Sequence, residues 1–203
     1  MEMQEFQKIE DALKHLRTYE KRKFSQSLDL NFTIKNIDLK RPENKFSKEV
    51  VLPHGRGKGV EVCIISEAAG FGKSELDEMS KDKQKMKAFS KKYDFFLCEA
   101  PLMPVVGKVL GRYLAPKGRM PKLIQSGKDP ASLIDETKKT VRIRLRDSPS
   151  IQVIVGTESM TDQQLKENAE KIIEEVKKAL PGKSQIRNVY LKFTMSRPVK
   201  LKV

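Results

Sequence analysis

Two kinds of β-strand are written into this chain, and a glycine-rich joint lies between them. Leu28, Leu30, Phe32 and Ile34 alternate with Ser27, Asp29, Asn31 and Thr33. A period of two sends the apolar set to one face, so the spacing predicts a strand with one buried side and one wet side. Val60 to Ile65 reads instead as a near-continuous apolar run. Such runs belong to sheets covered on both faces, the usual condition of parallel sheets. The segment between, His54-Gly55-Arg56-Gly57-Lys58-Gly59, carries three glycines in five positions and reads as a flexible joint and a boundary between folding units.

The rest of the chain sorts around that joint. Phe6, Ile9, Leu13 and Leu16 recur at helical spacing and predict an amphipathic N-terminal helix. Arg41-Pro42-Glu43-Asn44 is a loop, and Glu49 to Leu52 is a strand stopped by Pro53. Beyond the joint, the stretch from Glu75 to Lys92 is weakly periodic, and one lysine-rich helix is read in it, from about Lys81 to Lys92. A strand at Phe95 to Cys98 and a helix at Pro104 to Leu114 follow. Alternation of strand and helix implies a parallel, doubly wound unit. A helix is expected at Ala131 to Lys138, then a strand with Val141, Ile143 and Leu145 inward and Arg142, Arg144 and Arg146 outward. Ile151, Val153 and Val155 mark another strand. Thr161 to Leu180 is the strongest helix, with Thr161 and Gln164 spaced as a capping box and Pro181-Gly182 as a stop. Val189, Leu191 and Phe193 alternate in the next strand, and Val199 to Val203 is extended.

The 203 residues carry 41 Lys and Arg against 27 Asp and Glu, a net charge of +14. A compact chain with that excess repels itself unless a polyanion shares the charge, and nucleic acid is the commonest such partner. With 38% hydrophobic residues the chain buries a core, which excludes wholesale disorder. No apolar run approaches the roughly 20 residues that span a bilayer, so no membrane partner is expected. The polar, acidic start from Met1 to Glu10 reads as neither a signal nor a transit peptide. Cys63 and Cys98 sit in apolar runs without metal-ligand spacing, and read as buried free thiols of a reducing cytosol.

Three basic features are candidates for RNA. Lys21-Arg22-Lys23-Phe24 joins a cation cluster to an aromatic on which a base or ribose can pack. Ala100 to Lys128 holds Lys108, Arg112, Lys117, Arg119, Lys122 and Lys128 without one carboxylate, whereas solubilising loops mix both signs. The Arg142, Arg144 and Arg146 stripe needs anions close by, and pairing within the chain is its expected fate. Catalysis finds no footing. Gly72-Lys73-Ser74 follows a strand as the end of a phosphate-binding loop would, but Glu67 stands where that loop needs glycine. His15 and His54 lack companions at ligand spacing, and no nucleophile elbow is present. No catalytic residue, metal or cofactor is expected. A nucleotide-dependent enzyme built on the α/β middle remains the rival reading from another class, and detectable magnesium-nucleotide binding is what would favour it.

Val51 to Lys58, reading VLPHGRGK, resembles the "LPHGxGK" joint of the large-subunit ribosomal protein of the tRNA-exit stalk, the L-one family. Leu110 to Pro121, reading LGRYLAPKGRMP, is similar to its "LGRxLGPRGLMP" segment, and Val189 to Met195 to its "VYxxxTM" strand end. The short form and the loop IDLKRPEN look archaeal. The resemblance implies a mixed α/β and α+β chain of two domains. Residues 1–55 and 154–203 would form a split β-α-β sandwich, and residues 56–153 an inserted Rossmann-like three-layer α/β domain. It implies hinges at Gly55, Gly57 and Gly156. It further implies binding to stalk rRNA helices, assistance in releasing deacylated tRNA from the exit site, and repression of translation through the protein's own mRNA. Off the ribosome the chain would be a monomer in the cytoplasm; a repressor acting wholly outside the ribosome is the remaining alternative. Carried onto this sequence, the RNA contacts fall at Lys23, Phe24, Asp29, Thr194, Met195 and Ser196, with secondary contacts at Arg112, Lys117, Arg119 and Lys122. Ser196 and Arg197 stand where the family has glycine and proline, which replaces a bare backbone by a hydroxyl able to bond ribose or phosphate.

Overall fold

The computed structural model describes residues 4–20, 22–66, 71–80, 82–124, 130–182 and 184–202; for Ser80, Pro130 and Ala131 it describes the backbone alone. Lys21, Glu67 and Lys128, singled out above, lie outside the described residues. In chain order the first half holds β1 (Glu5–Phe6), α1 (Ile9–Arg17), β2 (Ser27–Lys35), β3 (Phe46–Val51), β4 (Val62–Ile65), α2 (Lys73–Ser80), α3 (Lys83–Lys92) and β5 (Phe95–Glu99). The second half holds α4 (Met103–Leu114), β6 (Lys122–Ile124), α5 (Pro130–Lys138), β7 (Thr140–Leu145), β8 (Ser150–Thr157), α6 (Asp162–Ala179), β9 (Gln185–Phe193) and β10 (Val199–Leu201).

The chain divides into two compact units. One is Met1–Lys58 with Lys139–Val203, the other Gly59–Lys138. In the first, a five-stranded sheet runs β1-β10-β9-β2-β8, antiparallel except for β1 beside β10. The alternation in β2 is realised residue by residue, with Leu28, Leu30, Phe32 and Ile34 buried and the polar set facing out. Burying each large apolar side chain contributes about 2 kcal/mol. The inner face shares one core with α1, α6 and the separate β3–β7 pair. Helix α6 forms where its sequence predicts: Leu165, Ala169, Ile172, Ile173 and Val176 supply the buried stripe, and the Thr161–Gln164 capping box closes its N-terminus.

Two expectations are corrected here. The units part at 58/59 and 138/139, not at 55/56 and 153/154. Strand β7 belongs to the first unit because it pairs antiparallel with β3 from Val51↔Thr140 to Phe46↔Leu145. That register puts Arg142 opposite Glu49, and the two side chains meet at 2.7 Å, with Arg144 and Arg146 likewise engaged. The N-terminal helix also starts later than expected, because Phe6 lies in β1 against Leu201.

The second unit has a three-stranded parallel sheet, β4-β5-β6, with α2 to α5. Phe95 to Cys98 is buried at every position, as a covered strand requires. Strand β4 departs from that pattern: it lies at the sheet edge, and Val62 and Ile64 are only half-buried. The weakly periodic stretch holds two helices rather than one. Asp82 separates them and caps α3 by accepting from the Gln84 and Lys85 amides. Burial pushes the Cys63 thiol up to about 12 and the Cys98 thiol up to about 11, so both stay protonated and unreactive.

Candidate nucleic-acid interface

Strands β2 and β9 pair as far as Leu28↔Phe193, and the chain on either side is stitched together beyond that point. The Thr194 amide donates to Ser27 O at 3.1 Å, and the Ser27 amide donates to Thr194 Oγ1 at 3.2 Å. The Met195 amide donates to Oε1 of the buried Gln26 at 3.0 Å. These bonds fix the backbone at Ser27, Thr194 and Met195, and two large apolar side chains stand in water: Met195 on that backbone is 58% exposed, and Phe24, three residues before Ser27, is 51% exposed. Each exposed apolar group forgoes about 2 kcal/mol of burial; a pair of them beside a rigid backbone is what a contact surface looks like. Lys23 is exposed next to Phe24. The structure therefore brings Lys23, Phe24, Thr194 and Met195 to one end of the β2–β9 pair.

Asp29 lies two residues further along the outer face of β2, across from Lys192 on β9 and Ile154 on β8. An open hollow of about 380 Å³ runs there, with Asn31 and Gln152 also on its wall. Burial raises the Asp29 carboxyl above its ordinary value, and Lys192 offsets this only in part. The hollow thus offers hydrogen-bond acceptors and one cation, a combination that suits ribose hydroxyls and base edges.

Ser196, half-buried beside Met195, is bonded within its own turn. Its hydroxyl accepts from the Phe193 amide at 2.9 Å and donates to Arg197 O at 3.1 Å, while its own amide donates to Phe193 O at 3.1 Å. It closes the turn that presents Met195.

The cations of the second unit divide in two. Lys117 Nζ donates to Ser90 Oγ at 2.9 Å, and burial holds its pKa down. Arg119 donates to Tyr93 O at 2.8 Å and Ser90 O at 3.2 Å, and meets Asp94 at 3.2 Å. Lys122 sits 6.0 Å from the Phe95 ring centre. Arg112 is exposed, on α4. So Lys117 and Arg119 brace the loop after α4 against the end of α3.

The three glycines expected as hinges all belong to the first unit, where Gly55 and Gly156 are buried and Gly57 is exposed. Gly55 and Gly57 have φ of +67° and +68°, which L side chains rarely adopt. A Cβ on Gly57 would collide with Thr157 Oγ1 and lie 2.8 Å from Met160 Sδ; one on Gly156 would lie 2.6 Å from Leu165 Cδ2. Asn168, fully buried on α6, donates to Gly55 O at 2.9 Å and Val155 O at 3.0 Å and accepts from the His54 amide at 3.2 Å. His54 Nε2 also meets Glu167 at 2.6 Å, which holds that carboxyl below its ordinary value.

Gln26 and Asn168 were missed in the sequence. Gln26 lies outside any apolar pattern and carries no local signal, whereas Asn168 stands on the buried stripe of α6, three residues after Leu165 and four before Ile172, and that polar interruption is the signal that could have found it. Among the described residues no cluster of His, Cys, Asp or Glu could hold a metal, and no helix is long and apolar enough to cross a membrane.

Comparison with known proteins places these observations in context. Residues 16–197 match the family described as Ribosomal protein L1p/L10e. The chain is similar to the large ribosomal subunit protein uL1 of Pyrococcus horikoshii, 43% identical over 211 residues that cover 96% of this chain and 95% of that one. The uL1 proteins of Pyrococcus abyssi (42% over 212 residues, 97% and 96%) and Methanocaldococcus jannaschii (40% over 204 residues, 94% and 93%) are similar over nearly their whole length too.

Proposed function

The chain belongs to the ribosomal protein L1p/L10e family, and from that premise we propose that it is a non-enzymatic component of the large ribosomal subunit, working in the cytoplasm, that grips the stalk helices of large-subunit rRNA with the β2–β9 end of its first unit. In this reading Phe24 and Met195 pack on ribose and base surfaces, Thr194 and Asp29 accept from hydroxyls or base edges, and Lys23 neutralises phosphate. Ser196 holds the turn that presents Met195. The same surface would bind a similar fold in the protein's own mRNA and so repress its translation. The exit-site tRNA would be met by the assembled stalk, and off the ribosome the chain would be a monomer. The two compact units are read as a split β-α-β sandwich carrying an inserted Rossmann-like α/β domain.

The observation that carries the proposal is the exposure of Met195 on backbone stitched through Ser27, Gln26 and Thr194, with Phe24 exposed three residues before Ser27. A photoreactive phenylalanine analogue at position 24, irradiated in intact ribosomes, tests it. Crosslinks mapping to stalk nucleotides are expected. Crosslinks confined to ribosomal proteins, or to RNA remote from the stalk, would refute it.

A further inference from the structure

Helices α2, α3 and α4 enclose an open cavity of about 450 Å³ within the second unit. That size falls in the range of small-ligand and side-chain pockets. Its rim carries Lys73, Lys83, Lys108 and Arg112 against a single carboxylate, Asp77. Its floor is Met86, Val105 and Val109. All four cations are exposed and hold no ion pair among the described residues, in contrast to Lys117 and Arg119. Helix α4 also has a bare strip on a face that does not line the cavity. Gly107 and Gly111 lie one turn apart in the helix interior, and a Cβ on either would meet no described atom within 4 Å. Helix-interior glycine costs about 1 kcal/mol relative to alanine, and no packing inside this unit calls for it.

We infer that this cavity is a docking groove for an acidic, amphipathic peptide segment of a protein partner, with apolar side chains seated on Met86, Val105 and Val109 and carboxylates facing the four cations. Charge complementarity requires an anionic occupant. The floor decides which kind. It is aliphatic and thioether, the adaptable surface on which the apolar face of a helix is recognised. RNA bases are held on aromatic or guanidinium planes, and none but Arg112 lines this cavity. A ribose-phosphate strand would satisfy the rim and leave the floor unfilled. The site is separate from the β2–β9 surface, and it holds whether or not that surface binds rRNA.

Fluorescence anisotropy on the full chain tests this, with a fluorescein-labelled leucine–glutamate peptide patterned as an amphipathic helix. Saturable binding is expected, along with shifts of the Val105 and Val109 methyl resonances. Lys108→Glu with Arg112→Glu should weaken binding about tenfold or more, with an unchanged melting curve showing that the fold is intact. A probe with serine in place of leucine should bind far more weakly. The inference fails if the double reversal leaves affinity unchanged or if the serine probe binds as tightly. It also fails if oligouridylate displaces the leucine–glutamate peptide, since the groove would then be an RNA site.

Discussion

The β2–β9 end of the first unit and the basic loop after α4 in the second make opposite use of their conspicuous residues. In the loop, cations that stand out in the sequence are consumed locally: Arg119 and Lys117 tie down the carbonyls at the end of α3. At the β2–β9 end, modest-looking residues do the tethering while Phe24 and Met195 stay in water. Net charge says that a polyanion is near; it does not say where. An apolar side chain that ignores the rule of burial, on backbone that cannot relax to hide it, is the sharper marker.

The comparison can be broken at either region. Asn168→Ala should have the largest effect, because it leaves two buried carbonyls and one amide without partners. A loss of about 3 kcal/mol is expected, read as a lowered urea midpoint, and RNA affinity of the remaining folded fraction should be unchanged. Arg119→Ala should cost about 2 kcal/mol through its bonds to Ser90, Tyr93 and Asp94. If its effect were on RNA affinity and not on stability, the division between braces and contacts would be wrong. Gly107→Ala and Gly111→Ala should each stabilise by about 0.5–1 kcal/mol, seen as a raised melting temperature; a destabilised variant would show that the bare strip is already packed.

Asp29→Asn should give the smallest change, and one that depends on pH. The folded carboxyl titrates above its unfolded value because burial disfavours its charge. Its contribution is present in full below the unfolded pKa and is lost as pH rises through the raised folded one. The variant should therefore gain relative to the parent at neutral pH and lose that gain in acid. A gap between the two that is flat from acid to neutral pH would contradict the burial argument.

How much was legible follows from what leaves a local trace. Helix α6 and strand β2 could be read because their apolar periods extend over many residues and, for α6, a capping box marks the start. Helix α2 was not: it is short, and Leu76 is its fully buried residue among those described. Strand β6, three residues without a buried face, was missed for the same reason. The alternation in β7 was plain, but its partner was not, since pairing with β3 across the intervening unit is a tertiary fact. Phe24 was marked by the basic cluster before it and by resemblance, Met195 by resemblance alone, and only the structure supplied the bonds that tie Gln26 and Ser27 to Thr194 and Met195. The fate of Lys117 and Arg119 was illegible because backbone carbonyls, their main acceptors, are the same in every sequence.

The most direct measurement compares stalk-type RNA binding by the parent, Phe24→Ala and Lys117→Ala at one fixed salt concentration. Loss of a stacked aromatic is worth about 1–3 kcal/mol, so Phe24→Ala should weaken binding by roughly tenfold or more, with Lys117→Ala close to the parent. Equal affinity for the parent and Phe24→Ala, or a larger loss from Lys117→Ala, would contradict the account.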